Sequence, residues 1–414
     1  MVSESIPTVK RRDFIQATGA GLGAGVLAGC SGGGGSSDDP ISVAGLLPLS
    51  GIYAPYGPMY RNGMEMAFSE YNEDGGVLGR DIELLVADNA DSGEQTVNNF
   101  QSFVQEDNAV AACGPGGLAP TIQAANFAEQ NQVPLYTLAG LFNMFVNGED
   151  TRYVFKPPVQ GMRNWIRPQA EIVRENGYSE IGVIYQNGTL KQVMETALQD
   201  FFPEDMNLHT ASAPPDETDF SSYLRQMPTE TEMFVGTAHP PGSATMYSQM
   251  YELGFDPDLF TTGINPAQPS FSNIGEQAGQ AYSPFTQVDY MSDAYQSKAQ
   301  EYADQNDGFF DTTAADGYVT GRLIGESIKE AGSADPTDIA DASRNITLDT
   351  LYIEPLQFKE WGIPDQAAVS FYGFDVDSSP DHYPDLDFGL SEIFRSDPMP
   401  GLTPSEMQKG YEGN

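Results

Sequence analysis

The stretch Ile41-Ser42-Val43-Ala44-Gly45-Leu46-Leu47 is an almost unbroken apolar run of strand length, and a Pro- and Gly-containing loop separates it from a helical pattern over residues 60–72. Such a run indicates a strand that is buried on both faces, as in a parallel sheet. The same order recurs along the chain. Further strands are predicted at residues 82–87, 109–113, 133–137, 181–185, 233–237 and 259–262. Further helices are predicted at residues 94–105, 121–131, 163–176, 192–202 and 243–253.

Strands that alternate with helices predict parallel sheets with helices packed on both faces. The pattern occurs at least twice, and the chain beyond residue 40 is longer than one hydrophobic core usually organises. We therefore predict an α/β protein with two doubly wound parallel-sheet lobes.

The residues before this pattern have the composition of an export signal. Lys10, Arg11 and Arg12 form a basic start, and the order Arg-Arg-Asp-Phe-Ile resembles the twin-arginine export motif. The modest apolar stretch that follows is too short to span a bilayer, so it predicts a cleaved signal peptide over residues 1–29 rather than a membrane helix. The alternative is a poorly ordered apolar N-terminus.

The end of this leader predicts a lipid anchor. Leu27-Ala28-Gly29-Cys30 resembles a lipobox, which implies cleavage before Cys30 and lipidation of its thiol. Residues 30–40 then form the lipidated cysteine and a flexible tether rich in Gly and Ser. We expect a protein on the extracellular face of the cell membrane, held there through the lipid anchor only; an incidental cysteine is the alternative.

The charge of the chain excludes some partners. Lys and Arg number 19 against 59 Asp and Glu, which gives a formal net charge of −40. This excess repels nucleic acid and anionic lipid headgroups. The composition resembles that of halophilic proteins, haloarchaeal ones included, because concentrated salt screens the self-repulsion. Disorder is the other source of high net charge, but 40% hydrophobic residues can build a core.

Small ligands of doubly wound sheets bind beyond the carboxyl ends of the strands. Several loops at these positions are rich in Gly and small residues, which let backbone amides approach a ligand, and helix N-termini there favour an anionic group. Ordinary surface turns are the alternative for any single loop. The candidate loops are residues 48–58, 114–120, 138–142, 186–191, 238–242 and 263–270.

Several segments, in order along the chain, resemble one known family. The first segment is the run from Ile41 to Gly51, which is quite specific, and the resemblance extends to about Gly373. The family is the branched-chain amino acid (Leu/Ile/Val) type of periplasmic binding protein that serves ABC importers. The other matching segments are Tyr53-Ala54-Pro55-Tyr56-Gly57, residues 72–80, Cys113-Gly114-Pro115, Val133-Pro134-Leu135, Asp219-Phe220-Ser221, residues 251–255 and Asp316-Gly317-Tyr318.

The resemblance implies a type I periplasmic binding protein fold, in which two lobes joined by three crossovers close over a small-molecule solute. It implies lobe 1 at residues 41–153 plus 286–343 and lobe 2 at 154–285 plus 344–374. Residues 375–414 remain as an acidic C-terminal tail that the sequence does not place. The resemblance further implies that the protein is a monomer and that its partner is an ABC permease in the membrane.

The resemblance also implies where the solute lies. Tyr56 falls where the family places an aromatic side chain against the solute. Two loops fall where the family contacts the solute through backbone groups and small side chains. This chain departs from the family at Leu190 and Ala238, which are often Tyr, and at Asn265, where amino acid binders carry an acid. Either another acid meets a ligand ammonium or the solute is not an ordinary α-amino acid. The two matching loops contribute Gly116, Gly117 and Leu118, and Leu138, Ala139 and Gly140.

Two further residues complete the predicted site. We hypothesise that Thr137 and His239 meet polar groups of the solute alongside Asn265. For His239, which precedes two prolines, a role in stabilising the loop is equally compatible with the sequence. Tyr56 has the alternative of a partly buried loop aromatic.

No catalytic residues, metal site or cofactor are expected. The three histidines have no metal-ligand spacing, and neither a nucleophile elbow nor a P-loop occurs. Cys113 ends an apolar run and is expected to be a buried small hydrophobe that forms no intrachain disulfide. A ligand-sensing module of a receptor system remains an alternative to import. A hydrolase on the same lobes lacks a recognisable catalytic set.

Overall fold

The computed structural model describes residues 39–138, 151–158, 161–238, 241–263, 270–271, 274–275, 281–306, 308–380, 382–383 and 388–410. The predicted leader and Cys30 therefore lie outside the described residues, as do Ala139, Gly140, His239 and Asn265. Among the residues described, no helix is both long enough and apolar enough to cross a bilayer.

A five-stranded parallel sheet organises the first lobe. Its order is β2-β1-β3-β4-β5, and all seven residues of the central strand β1 are buried. Parallel pairing and burial on both faces explain why this strand is a continuous apolar run. The strands are β1 (Ile41–Leu47), β2 (Ile82–Asp88), β3 (Ala111–Cys113), β4 (Leu135–Tyr136) and β5 (Val154–Phe155).

Helices cover this sheet, and three of them come from a later part of the chain. Gly317 lies so close to the first helix that a Cβ atom there would be 2.1 Å from the carbonyl oxygen of Tyr60. Only glycine permits this approach, which fixes the returning segment against the first lobe. The helices are α1 (Tyr56–Glu73), α2 (Gly93–Gln105) and α3 (Leu118–Asn131), and later α8 (Asp293–Gln305), α9 (Thr312–Ala331) and α10 (Pro336–Asn345).

A seven-stranded sheet organises the second lobe in the order β13-β12-β10-β9-β8-β6-β7. The strands β6 to β10 are parallel, and β12 and β13 extend the sheet as antiparallel strands. The parallel strands are β6 (Glu180–Gln186), β7 (Asn207–Ala213), β8 (Met233–Gly236), β9 (Leu259–Thr262) and β10 (Tyr282–Thr286), and the antiparallel ones are β12 (Ser370–Asp375) and β13 (Gly389–Arg395). The helices here are α4 (Met162–Asn176), α5 (Thr189–Phe201), α6 (Ser221–Leu224) and α7 (Gly242–Glu252).

The chain passes between the lobes three times. It leaves the first sheet after β5, returns after β10, and crosses again between α10 and β12. Hydrogen bonds tie these passages together, since Lys156 N–H donates to the carbonyl of Gly362 over 2.8 Å and Ile353 N–H to that of Gln287 over 2.9 Å. Three adjacent passages form a hinge between the two sheets.

The C-terminal segment, which the sequence leaves unplaced, is part of the second lobe. It adds the edge strand β13, and two short elements follow, β14 (Met399–Pro400), which pairs with β11 (Gln366–Ala367), and α11 (Pro404–Gln408). A capping box between Thr403 and Glu406 starts this last helix. Gly410 then packs against Val193 of α5.

Candidate ligand-binding site

Tyr56 is the first residue of α1 and is half-buried at the carboxyl end of β1. Pro48 approaches so closely that a Cβ atom on Gly57 would be 2.2 Å from the Pro48 carbonyl oxygen. Glycine at this position therefore lets the loop fold back onto the start of α1 and fixes the neighbouring tyrosine. The Tyr56 ring lies 6.4 Å from that of Tyr53, centroid to centroid.

The surroundings of Tyr56 include the other lobe. Its pKa is raised well above the ordinary value, first by burial and then by Tyr53, Asp311 and Tyr282. Tyr282 belongs to β10 of the second sheet, whereas Asp311 caps the first turn of α9 in the first lobe. The pKa of Tyr56 thus responds to groups of both lobes.

Gly116, Gly117 and Leu118 form the turn from β3 into α3. Gly117 has φ of +70° and is the N-cap of this helix, and Thr121 Oγ1 donates to its carbonyl over 2.6 Å. Gly116 and Gly117 are buried and Leu118 is half-buried. The helix N-terminus offers backbone N–H groups and a positive dipole end to an anionic group.

Asp91 adds a carboxylate to this wall, and sequence reasoning missed it. A Cβ atom on Gly117 would be 2.7 Å from Asp91 Oδ1 and 2.9 Å from Tyr53 Cε2. Burial raises the pKa of Asp91. With 59 acidic residues in the chain, no sequence signal distinguishes this one.

Thr137 and Leu138 follow β4. The Thr137 side chain is fully buried, its N–H donates to the carbonyl of Phe155 over 2.9 Å, and its Oγ1 has no hydrogen-bond partner among the described residues. Leu138 is half-buried and packs on the core that covers the first sheet. Thr137 is therefore a buried polar group at the start of the passage between lobes.

Leu190 and Ala238 come from the second lobe. Leu190 lies in the first turn of α5 and packs on the apolar cluster around Trp165. Ala238 N–H donates to Ser243 Oγ over 3.2 Å, which holds the turn into α7. The structure thus places both residues at helix starts on the carboxyl side of the second sheet.

A buried polar cluster connects the three passages between the lobes. Asp316 of α9 accepts hydrogen bonds from Gln287 Nε2 and, over 2.9 Å, from the Tyr352 hydroxyl. Burial raises the pKa of Asp316. Lys156 is fully buried, and burial lowers its pKa to about 7 although Asp316 acts in the opposite direction. The hinge thus contains ionisable groups that water does not reach, and sequence reasoning gave Lys156 no role.

The described residues contain no group of three or more His, Cys, Asp or Glu side chains that could hold a metal ion. Cys113 is buried, and burial raises the pKa of its thiol, which suppresses the nucleophilic thiolate.

A two-lobed α/β chain with a hinge and with helix N-termini at the carboxyl strand ends has the architecture of a binding protein that encloses its ligand. The family model described as periplasmic binding protein matches residues 40–377. The chain therefore belongs to the periplasmic binding protein family.

The individual relatives are distant. The chain is 24% identical over 311 residues to the Leu/Ile/Val-binding protein BraC3 of Rhizobium johnstonii, covering 72% of this chain and 81% of the relative. Among solved structures, the leucine-binding protein LivK of Thermotoga maritima superposes with a TM-score of 0.71 at 18% identity and covers 86% of this chain and 98% of its own. A solute-binding protein of Rhodopseudomonas palustris, in complex with 4-hydroxybenzoate, superposes with a TM-score of 0.73 at 16% identity. The match covers 88% of this chain and 98% of that protein. These two likenesses establish the fold.

Proposed function

We propose that the chain is an extracytoplasmic solute-binding lipoprotein that captures a small organic solute and delivers it to an ABC permease. The solute is an amino acid or a related amide or carboxylate. Cleavage after residue 29 and lipidation of Cys30 hold the protein, as a monomer, on the extracellular face of the cell membrane. Its acidic surface adapts it to concentrated salt.

One observation carries this proposal. Three passages of the chain join the two sheets; Tyr56 and the N-terminus of α3 lie at carboxyl strand ends of the first, and Leu190 and Ala238 lie at those of the second. A ligand held between these two sets of loops contacts both lobes. Contacts with both lobes favour the closed arrangement, which couples occupancy to a change of shape.

The organisation of the hinge supports the same mechanism. The first lobe contains strands β1 to β5, which end at Phe155, and the second contains β6 to β10, which end at Thr286, together with β12 and the edge strand β13. Three short passages allow a rotation that leaves both cores intact. A permease that recognises only the closed form then receives loaded protein.

The test uses the mature protein in concentrated KCl. Small-angle scattering is recorded with and without each member of a panel of amino acids, amides and aromatic carboxylates, and native mass spectrometry detects retained solutes. A solute that binds with one-to-one stoichiometry should reduce the radius of gyration. A Tyr56→Ala variant should lose that response, whereas Tyr251→Phe, at an exposed residue, should retain it. An unchanged profile across the panel, with no retained solute, would refute capture by closure.

A further inference from the structure

Asp91 follows strand β2 and lies beside the first turn of α3. Because Asp91 Oδ1 and Tyr53 Cε2 both lie within 3 Å of the position that a Cβ atom on Gly117 would take, they are less than 6 Å apart. The Tyr53 ring is in turn 6.4 Å from the ring of Tyr56. One carboxylate and two aromatic rings therefore meet at the site of the proposed function.

The carboxylate of Asp91 differs from that of its neighbour Asp88. Asp88 accepts hydrogen bonds from the N–H groups of Leu49 and Ala90, at 3.0 and 2.9 Å, and from Ser50 Oγ at 2.6 Å. The Asp91 side chain accepts no such bond from the described residues. Its backbone N–H donates to Asn89 Oδ1 over 2.9 Å, which fixes the turn but leaves the carboxylate unengaged.

Within the described part of the chain, no Lys or Arg offsets this charge. Burial alone raises the pKa of Asp91, without a compensating effect of any cation. A partly desolvated carboxylate without a partner costs free energy, and a cationic ligand recovers that cost. The nearby tyrosine rings also favour the binding of a cationic ligand, because aromatic faces attract cations.

We infer that the solute carries a cationic nitrogen, which binds against Asp91 with Tyr53 and Tyr56 packed around it. This inference rests on the proposed function and narrows its solute class. It excludes solutes whose only charge is a carboxylate. It also supplies, in the first lobe, the acid that the sequence does not offer at Asn265.

Matched pairs of solutes test the inference by calorimetry at one fixed KCl concentration. L-Leucine is compared with 4-methylpentanoate, and choline with 3,3-dimethylbutan-1-ol, so that each pair differs in the cationic nitrogen. At least one nitrogen-bearing solute should bind, and its partner should bind about tenfold more weakly or worse. Equal binding within each pair, binding of the nitrogen-free members only, or failure of both L-leucine and choline to bind would overturn the inference.

The variant Asp91→Asn removes the charge and keeps the shape. Asp91 has φ of +51°, a left-handed conformation that Asn also tolerates, so the turn should persist. We expect its dissociation constant for the cationic solute to rise about tenfold or more. Asp107→Asn, which removes an equal charge from an exposed residue of the same lobe, should leave the affinity unchanged.

Scattering separates this inference from the proposed function. If 4-methylpentanoate binds and closes the lobes while Asp91→Asn changes nothing, solute capture stands and the cationic solute is refuted. If calorimetry shows binding of choline or leucine that depends on Asp91 but the lobes do not close, the cation site stands and capture by closure fails.

Discussion

The hydroxyl of Tyr352 donates a hydrogen bond of 2.9 Å to Oδ1 of Asp316, and this bond joins the third passage between the lobes to helix α9 of the first. Asp316 is almost completely buried, so few other groups can satisfy its carboxylate. The contact therefore fixes one of the three passages to a rigid element. It also makes the hinge sensitive to the charge of a single side chain.

Removal of this donor should destabilise the protein. In Tyr352→Phe the carboxyl group loses a buried donor, which should lower the free energy of unfolding by about 1–3 kcal/mol. Denaturant titration at constant salt measures the loss. Tyr251→Phe, which alters an exposed ring, serves as the control and should shift the midpoint little. Equal shifts in the two variants would mean that the buried contact contributes nothing.

Lys156 should make stability depend on pH. Its pKa of about 7 in the folded state lies below the unfolded value of 10.5, so between these values the unfolded chain binds more protons. Stability attributable to this residue should therefore rise as the pH increases from about 7 towards 10.5. The charge of Asp316 acts on the pKa of Lys156 in the opposite direction.

The variant Lys156→Met isolates this contribution. It should be more stable than the native chain at and below pH 7, and the difference should shrink as the pH rises. Unfolding midpoints measured from pH 6 to 9 check this prediction. Parallel profiles of the two proteins would assign the pH dependence to other groups.

The close contact of α1 with α9 should tolerate no side chain at Gly317. A methyl group there would lie 2.1 Å from the carbonyl oxygen of Tyr60, so the helices would have to move apart. Gly317→Ala should therefore cost about 1–3 kcal/mol or more of unfolding free energy. Gly263→Ala, where a Cβ atom meets nothing within 4 Å, provides the comparison and should be nearly neutral.

Salt should stabilise the folded chain. With a formal net charge of −40, self-repulsion weakens as the Debye length falls from about 10 Å at 0.1 M to about 3 Å at 1 M salt. The unfolding midpoint should rise across this range in KCl, whereas sucrose of equal osmolality should reproduce only part of the rise. A midpoint independent of KCl would argue against salt adaptation.

The α/β pattern between residues 41 and 262 could largely be predicted from the sequence, whereas the elements from β10 onwards were not predicted. All seven predicted strands and all six predicted helices occur, and β1 matches at both ends because it is buried on both faces. Strand β7 was not predicted because it lies at the edge of the sheet. At an edge, the polar and partly exposed sequence Asn-Leu-His-Thr-Ala-Ser-Ala can form a strand without an apolar run. Helix α1 begins at Tyr56, four residues before the predicted start.

The site was less predictable than the fold. Tyr56 and the Gly116–Leu118 turn follow from loops at strand ends, and the structure places them at such ends. Asp91 and Lys156 could not be singled out, because a charge becomes chemically special only when folding removes its water and its partners. Burial of that kind depends on contacts between distant segments, which local patterns do not encode.

The two extremities of the described chain belong to different lobes. Arg80 Nε donates to the carbonyl oxygen of Asp39 over 2.8 Å beside β1, whereas Gly410 rests on Val193 of α5. Fluorophores attached near these two ends would therefore be on different lobes. Energy transfer between them would thus serve as a molecular ruler for domain rotation, read in real time and without labelling any residue at the cleft.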